Sequence, residues 1–160
     1  MRKSTFAALG AACSLMLTPA AHAQTCWAGE TLAAVKLRQL DVMLMVSALR
    51  CRTGADNFQA DYERFLNANR TALSGANNVI LADLSVKLGR AGAFNELDKM
   101  SVSIANHYGQ AGDMSCHDLR QIASDLADTR LPGALIDAAD AMVSDDVVET
   151  ACSVRVASRR

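Results

Sequence analysis

Residues 112 to 120 read GDMSCHDLR, and Cys116 beside His117 is half of the C-x-x-C-H pattern that attaches haem through two thiols and an axial histidine. The other half is missing, because position 113 is aspartate. Ser115 and Asp118 stand three apart just before the apolar run that starts at Leu119, which is the S-x-x-D capping box of a helix start. Asp118 in a first turn also suits the helix dipole. The segment therefore reads as a cap that holds Cys116 for a disulfide and leaves His117 at the surface. Met43-Leu44-Met45 has the M-x-M form that offers soft thioethers to Cu(I). Residues two apart on a helix point away from each other, so these methionines read as core filler. His107 lies one turn beyond Ile104 and two beyond Met100, at the edge of an apolar face, and is expected to be partly buried and bonded to a neighbour. Its only companion, His117, is ten residues on, and two histidines without a carboxylate or free thiol make a poor zinc site. No metal and no cofactor is expected.

Acid pairs occur at Asp61 and Glu63, Glu96 and Asp98, and Asp145 and Asp146, none within a recognisable catalytic pattern. There is no G-x-S-x-G nucleophile signature and no Walker loop. GRAGAF has glycines but no preceding strand and no third glycine. Catalytic residues are accordingly not assigned. The polar residues with a claim to binding are Arg50 and Arg52 around Cys51, then Asp61, Tyr62 and Arg64 just after the next turn, with His107 in addition. The plainer expectation for the first five is a salt-bridged cluster holding the first two helices together.

The compartment is written at the amino terminus. Arg2 and Lys3, an apolar stretch from Phe6 to Leu17, and Ala21-His22-Ala23 form a secretory signal peptide over residues 1–23. Its apolar part, about a dozen residues, falls short of the roughly 20 needed to span a bilayer. Cleavage leaves residues 24–160 as one helical domain, of a size that closes a single core. The leader takes two of the 16 basic residues and none of the 17 acidic ones, which leaves 14 against 17 and a net charge of about −3. That balance gives no electrostatic footing for nucleic acid. Arg155, Arg159 and Arg160 give residues 155–160 a basic character expected of a short flexible tail.

Cys26, Cys51, Cys116 and Cys152 survive processing, and an even number in an exported chain reads as two disulfides. If one straight helix joins Cys26 to Cys51, they lie about 35 Å apart, far beyond the roughly 4.4 to 6.8 Å between bridged α-carbons. Two connectivities remain open. Cys51 with Cys116 and Cys26 with Cys152 is preferred, since it joins a helix end to a helix start and ties down the termini.

The elements that position these residues follow from helical periodicity. Ala33, Leu37, Leu40, Leu44, Ala48 and Cys51 recur at three- and four-residue steps, and Leu40 to Leu49 is apolar at eight of ten positions. A helix with so little polar face is the central, most buried one. RTGAD makes a turn in which Asp56 caps the next helix, with Gln59 completing the box. Phe58, Tyr62, Phe65 and Ala72 form an apolar stripe, SGANN (74–78) breaks or bends the run, and Ile80, Leu81, Leu84 and Leu88 continue it or start a separate helix. Phe94, Leu97, Met100, Ile104 and Tyr108 mark another helix; Leu119, Ile122, Ala123 and Leu126 the next; Ala134 to Val143 and roughly Asp145 to Val154 two short last ones. The fold class is all-α, a disulfide-stapled bundle of five or six helices.

Three stretches are distinctive: MLMVSALRCR (43–52), FQADYERF (58–65) and FNELD (94–98). Together they make the chain resemble small exported helical proteins of alphaproteobacteria that have no assigned activity. The resemblance implies a periplasmic or secreted location and transfers no site residue. On all these grounds the expected role is a non-enzymatic periplasmic module that binds a protein, an envelope component or a small ligand. The rival roles are an envelope hydrolase using carboxylates and a haem or metal carrier. Mass spectrometry of the exported product should find a chain that starts at Gln24 and has no free thiol; an intact amino terminus or four alkylatable cysteines would overturn both the leader and the staples.

Overall fold

The computed structural model describes residues 27, 29–110, 114–129, 131 and 133–144. The leader, Cys26, Cys152, the Asp145 to Val154 segment and the basic tail lie outside them. Among the described residues the protein is all-α, with four helices and no strand: α1 (Gly29–Arg50), α2 (Gln59–Gly109), α3 (Cys116–Asp128) and α4 (Ala134–Met142). Half of the 22 residues of α1 are buried, from Ala34 to Ala48, and α1 packs against each of the other three helices. A helix apolar almost all round must be enclosed, and α1 is the central helix its sequence calls for. Met43 is sealed in the core while Met45 turns outward, as residues two apart on a helix must.

Four helices among the described residues stand against the five or six expected, because residues 59–109 join end to end as one element bent at Gly89 and the expected Asp145 to Val154 segment lies outside those residues. The helix runs through SGANN without a break; its one departure from helical geometry is Gly89, at φ 68° and ψ 169°. Here the helix folds back. Tyr62 bonds to Asp41 of α1 and Ser101 bonds to Arg38, one turn away on the same helix. Along a straight α2 these two residues would stand about 58 Å apart, so α2 is a hairpin whose arms, 59–88 and 90–109, both lie along α1. Only glycine tolerates this backbone at Gly89. Gly92 is needed for a second reason: a Cβ there would come within 2.8 Å of the Leu88 Cβ. Phe65, Leu73, Ala76, Ile80 and Leu84 of the first arm and Ala93, Met100 and Ile104 of the second form two buried stripes at helical spacing. Each large side chain so buried contributes roughly 1.5 to 3 kcal/mol. Ala72 and Phe94, expected on those stripes, are exposed.

The connection from α1 to α2 differs from expectation. Asp56 caps nothing; its carboxylate faces α3, 3.4 Å from His117 Nδ1 and 3.3 Å from Arg120 Nη2. Asn57 organises the turn instead, accepting from the Gln59 N–H and donating to the Arg52 carbonyl. The start of α3 is as its sequence requires. Ser115 Oγ accepts from the Asp118 N–H at 3.2 Å, and its hydroxyl donates to Asp118 Oδ2 at 2.6 Å. The reciprocal bond thus goes to the side chain of the cap rather than to its backbone. Cys116 is bonded to Cys51, with α-carbons 5.8 Å apart, so the DMSCH thiol is spent on a staple and not on a haem. The bridge closes a loop of 65 residues, which contributes roughly 4 kcal/mol by restricting the unfolded chain. α4 starts after Gly133, at φ 86°, and an ion pair from Lys36 to Asp140 holds it on α1.

Gly89 and Gly75 make opposite predictions. Gly89→Ala should lower the unfolding free energy by about 1 to 3 kcal/mol. Gly75→Ala, inside continuous helix with open space around it, should raise it by roughly 0.5 to 1 kcal/mol. Urea midpoints measure both, and equal shifts of the same sign would remove Gly89 as the point of reversal.

Candidate functional site

The residues singled out by sequence do not gather into one cluster. Arg50 reaches across to the end of α2, donating from Nη1 to the Gln110 carbonyl at 3.0 Å. Arg52 is exposed, and its side chain has no partner among the described residues. Asp61 pairs with Arg64, whose guanidinium also reaches Asp128 and Ser124, so this group ties α2 to α3 rather than to α1. Tyr62 alone makes the expected link to α1, donating to Asp41 Oδ1 at 3.0 Å. His107 is exposed rather than partly buried, with its ring edge-on to Tyr108 at 4.7 Å between centroids. Arg50 and His107 do meet, as lining residues of one cleft.

What sequence reasoning missed is the polar character of α1. Arg38 donates to Asp41 Oδ2 and to Ser101 Oγ, and Ser101 in turn donates to the Leu97 carbonyl. With Tyr62 on the other side of Asp41, the chain of bonds runs from one arm of α2 through α1 to the other arm. Burial pushes the Asp41 carboxyl above its ordinary value of 3.8, against the opposing pull of the Tyr62 hydroxyl and the Arg38 charge. Burial, and then the negative charge of Asp41, push the Tyr62 phenol upward as well. This phenol keeps its proton, and its work is to hold Asp41. Gln39, completely buried, makes the second polar link. One of its amide atoms lies 2.7 Å from Tyr108 Oη and 3.1 Å from the Ser144 carbonyl. An atom beside a carbonyl oxygen must be the donor, which identifies it as Nε2. Tyr108 Oη also accepts from the Ser144 N–H at 3.0 Å.

A recess of about 570 Å³ opens beside this second link. Its floor is α1, through Met43, Ser47 and Arg50, and the end of α2 supplies His107, Tyr108 and Gln110. Met114, just before α3, and Leu119, in its first turn, line the third side, and residues 141–144 close the side formed by the end of α4. The disulfide and the Arg50 bond to Gln110 fix the ends of α1, α2 and α3 that form it. Its described lining has no carboxylate and no thiol, and no group of three or more histidine, cysteine or acidic residues suited to a metal exists among the described residues. Nor is any described helix long and apolar enough to cross a membrane.

The fold and cleft define a disulfide-bonded all-α protein with a sizeable recess at the end of its helices. No protein-family model, no curated protein and no solved structure matches the chain.

Because Asp41 titrates higher in the folded state than its ordinary value, its protonated form is the one the fold favours. Stability from this group is therefore fully present below pH 3.8 and is lost as pH rises through the folded-state value. Urea unfolding of the wild type and Asp41→Asn across this range should show the difference between them moving in favour of the wild type as pH falls. A constant difference would mean that Asp41 carries no burial penalty.

Proposed function

We propose that this chain is a non-enzymatic protein of the bacterial periplasm, akin to the exported helical proteins it resembles, that binds a small ligand in the cleft at the end of its helices. The observation that carries the reading is the recess of about 570 Å³, within the roughly 300 to 1,000 Å³ of small-molecule sites. Its walls combine apolar surface from Met43, Met114, Leu119 and Met142 with the few polar groups of Ser47, Arg50, His107 and Tyr108, the mixture such sites use to hold and orient a ligand. Methionine suits this role because its flexible thioether adapts to an irregular partner. The Cys51–Cys116 bridge supports the compartment, since such bonds persist in oxidising surroundings.

Native mass spectrometry of protein purified from its periplasm without denaturant tests this. Wild type should carry a small-molecule adduct. Ala141→Trp, which puts a large ring at an exposed position on the wall of the cleft, should lose the adduct while keeping the helical circular dichroism of the wild type. No adduct on wild type, or an adduct undiminished by the tryptophan, would overturn the proposal.

A further inference from the structure

The hydrogen bonds around the cleft say which chemical group its ligand presents. Tyr108 Oη accepts two hydrogen bonds, from Gln39 Nε2 and from the Ser144 N–H. Its acceptor capacity is used, and what it has left is its own O–H, with no acceptor among the described residues. Tyr108 and Ser144 both line the recess, so this hydroxyl stands at its wall. Ser47 lies on the floor at 3 % exposure, and its side chain has no hydrogen-bond partner among the described residues. The hydroxyl is not among the sealed unbonded polar atoms of the described residues, so it faces the recess and can donate to a group of the occupant. Arg50 adds a guanidinium of which one nitrogen, Nη1, is engaged with the Gln110 carbonyl, leaving further N–H groups to donate. These groups offer hydrogens, and among the described lining residues no carboxylate competes for them.

Building on the small-ligand reading above, we infer that the ligand is an amphipathic organic anion, a carboxylate on an apolar body. The carboxylate takes hydrogens from Arg50, Ser47 and Tyr108. The apolar body lies against Met43, Met114 and Met142. A carboxylate fits these donors better than a neutral hydroxyl, because it accepts at both oxygens and its bonds to a guanidinium are charge-assisted. The size of the recess argues against a bare ion, which would leave most of about 570 Å³ unfilled.

Isothermal titration with octanoate, octanol and octylammonium, which share one apolar body and differ in head group, tests the assignment. Octanoate should bind wild type roughly tenfold or more tightly than octanol, and octylammonium most weakly. Arg50→Gln should abolish the preference for octanoate and Arg50→Lys should restore much of it. Ser47→Ala, which leaves Arg50 in place, should weaken octanoate severalfold. Octanol equal to octanoate, or octylammonium stronger than both, overturns the anion assignment; if Ala141→Trp blocks that binding, the small-ligand reading still stands. Binding of no probe, or binding that Ala141→Trp leaves unchanged, overturns the assignment and counts against the cleft itself.

Discussion

A helix that is apolar around most of its circumference gains nothing from water and must be covered on every side, and α1 imposes that requirement on the rest of the chain. The elements that follow it are arranged to meet it. The first arm of α2 covers one side, the second arm another, and α3 and α4 close what remains. Three polar residues in the covered part of this helix, Arg38, Gln39 and Asp41, are tied to neighbours, while Ser47 faces the recess. Arg38 and Asp41 bond to the two arms of α2, and Gln39 bonds to the end of α2 and to the residue that follows the end of α4. Apolar surface supplies the cohesion and these bonds fix the register of the helices around α1.

The same requirement explains where α2 turns. A first arm ending near Gly75 would be about 16 residues, or some 24 Å, long, too short to run beside the full length of a 22-residue helix of about 33 Å. Reversal at Gly89 gives an arm long enough to bring Ile80 and Leu84 into the core. SGANN and GRAG carry comparable local signals, a glycine among small or polar residues. Tertiary coverage decides between them: the sequence places a boundary between Leu88 and Phe94, where the chain does reverse, but leaves open whether SGANN interrupts the first arm as well.

Other features were legible because their causes are local. LDVMLMVSAL announces burial by composition alone, and Ser115 and Asp118 announce a cap by their spacing. Helix geometry rules out Cys26 as the partner of Cys51, and of the two connectivities it leaves open the preferred one contains the observed Cys51–Cys116 bridge. The candidate site was only partly legible. Arg50 and His107 stood out as polar residues and do share the recess, yet the residues that give it chemical character are Ser47, within an apolar run, and Tyr108, at the end of an apolar stripe. On a periodicity plot both count as core. Their significance lies in which hydrogen bonds are already filled, and that is a property of three elements meeting.

The bridge from Cys51 to Cys116 also governs how copies of this chain can combine. A helical hairpin whose turn straightens becomes a single rod, and rods of this kind let two chains trade their terminal halves. A straight α2 of 51 residues would be about 77 Å long, and it would carry α3 far from the α1 of its own chain. Cys116 could not then remain 5.8 Å, measured between α-carbons, from its own Cys51. Oxidation within one chain therefore closes the route to exchange. Chains that trade halves before oxidation would be sealed as a pair, with the bridges running between them.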